Sequence, residues 1–381
     1  MSKIGSLLTQ QTGYKAFIPL NFPSEDLITW NQDLILLLSQ ADQAIGRLNA
    51  IDQLIPDVDF FILMYVRKEA SLSTQIEGTQ ATLLDVIKAD AKLVDADMPS
   101  DVDEIQNYIK AMNYGMERLK TLPLSLRLIR ELHEKLLAGV RGQHRNPGEF
   151  RKSQNWIGGP TIATATFVPP PPYEMNQALN ELEKFIHEST SKLPLLIKAA
   201  LIHAQFETIH PFLDGNGRTG RLLITFYLYK AGILPRPLLY ISDFFHKNRR
   251  DYYDKLNSYR FDLGVEGWLM FFLEGIRTVS NQAVTKAKKI TELREEDIKK
   301  VSTFGKNADS ALILLNKMYA LPVVDTKLVS IMTKISSKAN VNDLIEKFVK
   351  AGILEEITGK QRNRRFIYRK YIEQFTDIEI L

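Results

Sequence analysis

Apolar residues recur at helical spacing along most of the chain, so the pattern predicts a mainly α protein with two short β insertions. After an irregular start, Pro23-Ser24-Glu25-Asp26 opens a helix over Leu27–Leu48, with Ile35, Leu36, Leu37, Leu38, Ala41 and Ile45 apolar, and Ile55-Pro56-Asp57 breaks it. A second helix, about Val58 to Glu77, carries Phe60, Phe61, Met64, Tyr65 and Ala70 and stops at Gly78, a C′ residue. Thr79 or Thr82 caps the next, Leu83–Leu93, and Pro99-Ser100-Asp101 opens Val102–Leu119. After a break at 121–125, Leu128, Ile129, Leu132 and Leu136 form a buried stripe over Leu126–Leu137, with His133 beside it as a packed or hydrogen-bonded core histidine.

Period two takes over at Thr161–Val168, after strand and turn signals in Gly148–Gly159 and before the prolines 169–172, and predicts a β-hairpin. Two apolar helical runs follow, Leu195–Ile202 and Leu222–Leu228, then a core helix around Trp268–Phe272. Ala283–Lys300 is dense in charge and reads as a solvent-exposed helical connector. Beyond it come helices at Ala311–Tyr319 and Asp325–Ile335. A third, capped by Ser336, carries Val341, Leu344, Ile345, Phe348 and Val349 and closes at Gly352. A last hairpin joins 353–357 to 366–368, and three helices plus a hairpin resemble a winged helix.

Composition adds limits. The 381 residues are 45% hydrophobic and 25% charged, ordinary for a globular chain and enough for two or three domains. There is no cysteine, which excludes a disulfide framework and cysteine-ligated zinc. The net charge of +4 is small for this length, so any basic patch must be local; Lys360, Arg362, Arg364, Arg365, Arg369 and Lys370 on the last hairpin form one, able to meet phosphates. No sustained apolar leader and no membrane-length apolar run is seen, so a soluble cytoplasmic location without membrane contact is expected.

The chemistry concentrates between the two apolar runs, in His210-Pro211-Phe212-Leu213-Asp214-Gly215-Asn216-Gly217-Arg218-Thr219-Gly220-Arg221. The Gly-Asn-Gly turn opens a helix whose first N–H groups and dipole favour an anion. A neutral His210 can take a proton from an attacking hydroxyl. Asp214 is a hard oxygen ligand of the kind Mg²⁺ accepts beside phosphate oxygens. Arg218 and Arg221 share a helix face and can fork onto phosphates. The set fits attack on a nucleotide phosphate. His203 and Glu207, four apart on the preceding helix, lack a metal-site pattern and read as structural or supporting.

This stretch resembles the Fic (filamentation induced by cAMP) signature HPFx(D/E)GNGRxxR at every defined position. The resemblance implies transfer of AMP from ATP to a Ser, Thr or Tyr hydroxyl of a target protein. It makes His210 the general base and Asp214 the Mg²⁺ ligand. Gly215, Asn216 and Gly217 become the α-phosphate anion hole, with Arg218 and Arg221 on the β- and γ-phosphates. Gly217 and Arg218 argue against the kinase-like branch of the family. Ser73-x-x-x-Glu77-Gly78 would alone be a solvated helix end; beside this signature it resembles the family's inhibitory motif, with Glu77 paired to Arg221 where the γ-phosphate belongs. The hairpin resembles the family's target-docking flap, centred on Ile162, Ala163, Thr164 and Ala165. Tyr253, in a stretch resembling the family's YYxxL helix, is the adenine contact, although Arg260 stands where some relatives carry Asn.

The expected organisation is an N-terminal inhibitory region (1–120), a Fic catalytic core (121–280), a connector (281–303) and a winged-helix domain (304–381). The expected partners are ATP and a target protein, the chain itself included; a homodimer and DNA bound through the tail are left open. Two rival functions stand beside it: removal of AMP from a modified protein at the same site, with Glu77 positioning water, and, from another class, a DNA-binding regulator whose Fic core senses nucleotide.

Overall fold

The computed structural model describes residues 4–20, 28–51, 58–93, 98–261 and 264–376; the expected helix start at Pro23–Asp26 and the break at Ile55–Asp57 lie outside them. The start of the chain, expected to be irregular, contains a hairpin of β1 (Gly5–Thr9) and β2 (Lys15–Pro19), antiparallel with Leu7 opposite Phe17. Its turn is closed by Gln10 N–H to Tyr14 O at 2.8 Å, with Gly13 at φ +91°. Then come α1 (Gln32–Asn49), α2 (Val58–Ile76), α3 (Leu83–Asp90), α4 (Val102–Arg118) and α5 (Leu126–Leu136). Side-chain caps fix several starts. Asn31 accepts from Leu34 N–H at 2.8 Å, Thr82 and Asp85 form a reciprocal capping box, and Ser125 accepts from Leu128 N–H.

Next are α6 (Pro172–His187), α7 (Leu195–Ile209), α8 (Asn216–Lys230), α9 (Ser242–Lys247), α10 (Arg249–Phe261) and α11 (Val265–Ser302). The chain then adds α12 (Ala308–Met318), β3 (Val323–Asp325), α13 (Thr326–Thr333), α14 (Lys338–Lys350), β4 (Glu355–Glu356), β5 (Arg365–Ile367) and α15 (Arg369–Ile372). Ser337, not Ser336, caps α14, through Asn340 N–H. Among the described residues no helix is long and apolar enough to cross a membrane.

Two expectations change. The segment 161–168 is not a strand. One antiparallel bridge, Ile157 to Phe167, holds its base, and Ile162–Thr164 form a 3₁₀ turn. Gly158 and Gly159 both take left-handed backbone (φ +70° and +74°), Pro160 brings no N–H to a ladder, and Thr161 and Thr164 cap the turn reciprocally. Alternating composition is overridden by turn chemistry. The charged stretch 283–300 is likewise no separate connector: it continues α11 without a break. Ala283, Ala287, Ile290, Asp297 and Val301 recur on one face and are buried, and Asp297 accepts the Tyr368 hydroxyl at 2.6 Å and pairs with Lys300 at 2.6 Å.

The chain forms two compact units, neither a single stretch of sequence as the expected domains are. The first takes residues up to 49, 72–79 and 103–281. Its centre is the antiparallel pair α7 and α8; α7 is buried on nearly every face, and Trp268 ties to it by Nε1–H to Ala200 O at 2.9 Å. Gly115 of α4 lets α8 approach so closely that a Cβ there would collide with the Phe226 ring. The second unit takes 50–71, 80–102 and 282 onward. In it α12, α13 and α14 accompany a three-stranded antiparallel sheet ordered β3-β5-β4. Phe61, Tyr65, Tyr371 and Phe375 form an aromatic cluster there, and buried Arg67 bridges Asp90 at 2.6 Å and Ala320 O at 2.6 Å.

Candidate active site

The site forms where α7 stops and α8 starts. His210 ends α7 in left-handed backbone (φ +49°, ψ +59°), its N–H still bonded to Phe206 O, so the chain reverses at the imidazole. Gly215, also left-handed at φ +77°, opens α8. Between them Asn216 closes the loop with its side chain, accepting from Phe212 N–H at 2.9 Å and donating to Phe212 O at 2.8 Å. Asp214 Oδ1 accepts the Gly215 N–H at 2.6 Å. Of the expected anion hole, the Gly215 amide is therefore engaged by Asp214 and the Asn216 carboxamide by the loop. The backbone amides of Asn216 and Gly217, in the first turn of α8, lie where helix N–H groups lack intrahelical acceptors.

His133 braces this turn. Its ring stacks on Phe212 at 3.7 Å and 3°, Nδ1 accepts from Gly148 N–H at 2.8 Å, and Nε2–H therefore donates to Asp214 O at 2.9 Å. Arg151 fans its guanidinium over the carbonyls of His210, Ile209 and Pro170, and Asn155 donates to the carbonyls of His210 and Phe212. The stretch 148–155, expected to be part of the hairpin, instead anchors the loop that holds His210.

Both arginines of the signature are buried. Arg218 reaches Glu104 at 3.3 Å and Asp214 at 3.4 Å. Arg221 donates from Nε to Ser73 Oγ at 2.8 Å and from Nη2 to Ser73 O at 2.7 Å and Glu77 Oε1 at 2.8 Å. The helical spacing of Ser73 and Glu77 thus lets one guanidinium engage both. Glu77 also lies over the turn itself: a Cβ on Gly217 would collide with its Oε1. Gly78 then leaves α2 at φ +98°, and Thr79 donates to the buried Glu104 at 3.0 Å, so Glu104 joins the end of this segment to Arg218.

Tyr253 lies near Glu77 and Arg221, with Arg249 5.5 Å over its ring, and burial pushes its phenol up to about 12. Arg260, which stands where some relatives carry Asn, turns inward. It is buried, donates to Glu207 O and Thr208 Oγ1, and covers the Phe167 ring at 4.0 Å. His203 donates Nδ1–H to Gly220 O and accepts the Tyr252 hydroxyl, a core role as its sequence context implied. Ile162, Ala163, Thr164 and Ala165 sit on the solvent side of the 3₁₀ turn and its exit. Among the described residues no group of three or more His, Asp or Glu forms a metal cluster, and Asp214 and Glu77 are the carboxylates beside the anion turn. Glu104, Arg151 and Asn155 escaped sequence reading because nothing in their local spacing marks burial.

Residues 35–117 match the Fic/DOC family N-terminal region and residues 123–228 the Fic/DOC family. The chain thus carries a Fic/DOC family region preceded by that family's N-terminal region, and is distantly related to protein adenylyltransferases. The protein adenylyltransferase Fic of Drosophila yakuba is 34% identical over 170 residues, 43% of this chain and 32% of that protein. Its Drosophila melanogaster counterpart is 33% identical over the same shares. The chain thus matches about a third of the length of these relatives. A Fic family protein from Desulfovibrio desulfuricans superposes with a TM-score of 0.58 at 18% identity, over 90% of this chain and 97% of that one. A Fic domain containing signaling protein from Bacteroides thetaiotaomicron gives 0.53 at 20%, over 66% and 97%. The fold is that of these Fic proteins.

Burial sets the protonation of the site. It holds His133 down to about 4, and His203 and His210 each to about 3, so all three imidazoles are neutral in the folded protein at neutral pH. Below about 6.5 the unfolded chain takes up protons that the native state refuses, so these groups favour folding above that pH and lose their contribution as pH falls toward 4. Glu207, whose carboxyl burial raises to about 7, works in the opposite direction from 4.5 to 7. Three groups against one predict a thermal midpoint that climbs from pH 4.5 to 6.5, with a shallower climb in His133→Gln. A midpoint flat over that range in the wild type would contradict the buried neutral histidines.

Proposed function

We propose that this chain is an ATP-dependent protein adenylyltransferase held in check in cis by Glu77. The observation that carries the reading is the carboxylate of Glu77, bound 2.8 Å from Arg221 and lying against Gly217, at the turn that offers its N–H groups to an anion. A carboxylate seated there competes with the terminal phosphates of a triphosphate for the same guanidinium.

In the active arrangement the phosphates lie along the first turn of α8, where the Asn216 and Gly217 amides meet developing negative charge and Arg218 and Arg221 fork onto the outer phosphates. A target hydroxyl gives its proton to His210. Its oxygen attacks the α-phosphorus, the bond to the β-phosphate oxygen breaks, and diphosphate leaves. The neutral imidazole is free to accept that proton. Asp214 would hold Mg²⁺, with phosphate oxygens and water completing the coordination; when bound, the ion neutralises phosphate charge. Arg151 and Asn155 keep the His210 backbone in place, which serves the positioning that such a transfer needs. The exposed turn at Ile162–Ala165 is the edge on which an extended target segment would lie. Tyr253 is proposed beside the adenine.

His210→Ala should lower AMP transfer by at least the ~10²–10⁴-fold that a positioned base contributes, while leaving ATP binding largely intact. Wild-type turnover in that variant, followed by mass increase of a target or of the chain itself, would remove the base assignment. Glu77→Gly should raise turnover by about 10²-fold with a smaller effect on ATP affinity, because misplacement at the reacting centre costs about that much. Arg221→Ala should not copy it, since it also deletes the phosphate contact. Flat or reduced turnover in folded Glu77→Gly would overturn the inhibitory role, and loss of AMP removal in that variant would favour de-AMPylation.

The C-terminal unit supports a second, separate reading as a winged helix that meets DNA phosphates. A cleft of about 350 Å³ there is lined by Lys327, Lys338 and Arg364 together with Ser330 and Ser336. Its charge is tempered, because Arg364 pairs with Glu346 and Arg369 with Glu355. Duplex affinity should therefore be modest and fall with salt, with a shallower slope after Lys327→Ala and Lys338→Ala together. Absence of binding at low salt would exclude the reading.

A further inference from the structure

One helical turn before His210, α7 carries a carboxyl group that the proposed reaction has not used. The Glu207 side chain is buried, and its Oε1 has no hydrogen-bond partner; the same holds for His210 Nδ1. These two unsatisfied groups face each other, with Glu207 Oε2 3.9 Å from His210 Nδ1. Buried polar atoms left without partners are rare enough to call for a reason, and here a carboxylate acceptor and an imidazole donor complement one another.

The surroundings leave few other uses for the carboxyl. Glycine at 220 on α8 makes room for it: a Cβ there would stand 2.6 Å from Glu207 Oε1. The charged and titratable groups that face Glu207 or His210 are Arg221 of α8, Arg260, Tyr252 and Tyr253 of α10, Glu77 beyond α2, and Arg151 before the 3₁₀ turn. None of them hydrogen-bonds the carboxyl. Arg260 donates to the main-chain carbonyl of Glu207 instead, at 3.0 Å. That carbonyl is the other acceptor near the imidazole, and Arg260 takes one of its two acceptor positions.

We propose that Glu207 is a positioning residue for His210. Its carboxylate accepts the Nδ1–H, which leaves Nε2 unprotonated as the base. The proposal rests on His210 as the base for AMP transfer. Closing the pair from the observed separation to a hydrogen bond takes a shift of about 1 Å, within the reach of a carboxylate rotation. In the reaction the target hydroxyl proton moves to Nε2, and the imidazolium so formed is bonded through Nδ1–H to the carboxylate until the proton passes to solvent. The logic is that of a base oriented and electrostatically supported by a third group. Burial raises the Glu207 carboxyl to about 7, so its ionised fraction changes across neutral pH.

Two measurements on the full chain test this, one of them independent of activity. Ring ¹⁵N shifts of His210, assigned by their loss in His210→Ala, should report the Nδ1–H tautomer in the wild type. Glu207→Gln keeps the acceptor and should keep that tautomer; Glu207→Leu removes it and should mix the tautomers. In the Glu77→Gly background, Glu207→Gln should lower turnover about 10-fold and flatten the acid limb of the pH–rate profile, with the ATP KM nearly unchanged. Glu207→Leu should lower turnover further. Because Gln is nearly isosteric, its thermal midpoint separates a lost charge from a lost fold. An unchanged tautomer in folded Glu207→Leu would overturn the pairing. So would wild-type turnover and pH profile in Glu207→Gln. A tautomer change in a protein that transfers no AMP under any condition would leave the pairing intact and reject the adenylyltransferase reading.

Discussion

The arrangement around the turn depends on one buried cation. Arg221 is almost wholly excluded from water, and a guanidinium cannot shed its charge there, so the fold must supply acceptors. It does so from a separate stretch of chain: the Ser73 hydroxyl and carbonyl and the Glu77 carboxylate. Burial works against the charge of Arg221, and the adjacent Glu77 carboxylate more than offsets it. A triphosphate that takes Arg221 must therefore displace a carboxylate already well placed. On the proposed reading the pair competes with the ligand as well as bracing the fold.

Around that cation the molecule is held by hydrogen bonds to main-chain carbonyls more than by side-chain pairs. His133, Arg151, Asn155 and Arg260 all direct donors at the backbone of 207–214. A left-handed histidine at the end of a buried helix is an unfavourable conformation, and it persists when its surroundings over-determine it. The donors do this from three separate parts of the sequence. They leave the imidazole itself with no hydrogen bond at Nδ1, and they leave the Glu207 carboxyl facing it.

The same economy explains the two departures in the fold. Residues 161–168 alternate as a strand does, yet two left-handed glycines and a proline divert the backbone before a ladder can extend beyond a single bridge. The charge-rich stretch after 283 has the composition of a solvated connector. It continues a long helix because five of its residues recur on one buried face, one of them an aspartate satisfied by a tyrosine and a lysine. In both, a few residues with strict geometric demands outweigh the average character of the segment.

The sequence by itself determined the helical framework, because apolar periodicity and capping side chains act within a turn or two of chain. It also displayed the chemistry of His210–Arg221, whose residues are contiguous. It marked Ser73 and Glu77 as neighbours on one helix, and a known signature motif suggested what they would meet. Only the tertiary structure decided that this helix end lies against Gly217. Only it decided that Glu104 would join Thr79 to Arg218, that Arg151 and Arg260 would be buried against carbonyls, and that half-buried Asn155 would donate to two more. Nothing in their local sequence marks those partners, since they lie tens of residues away or more. The protonation of the site belongs to the same class. The histidines and Glu207 depart from their ordinary ranges chiefly through burial, and burial is a property of the packed molecule that no local stretch of sequence contains.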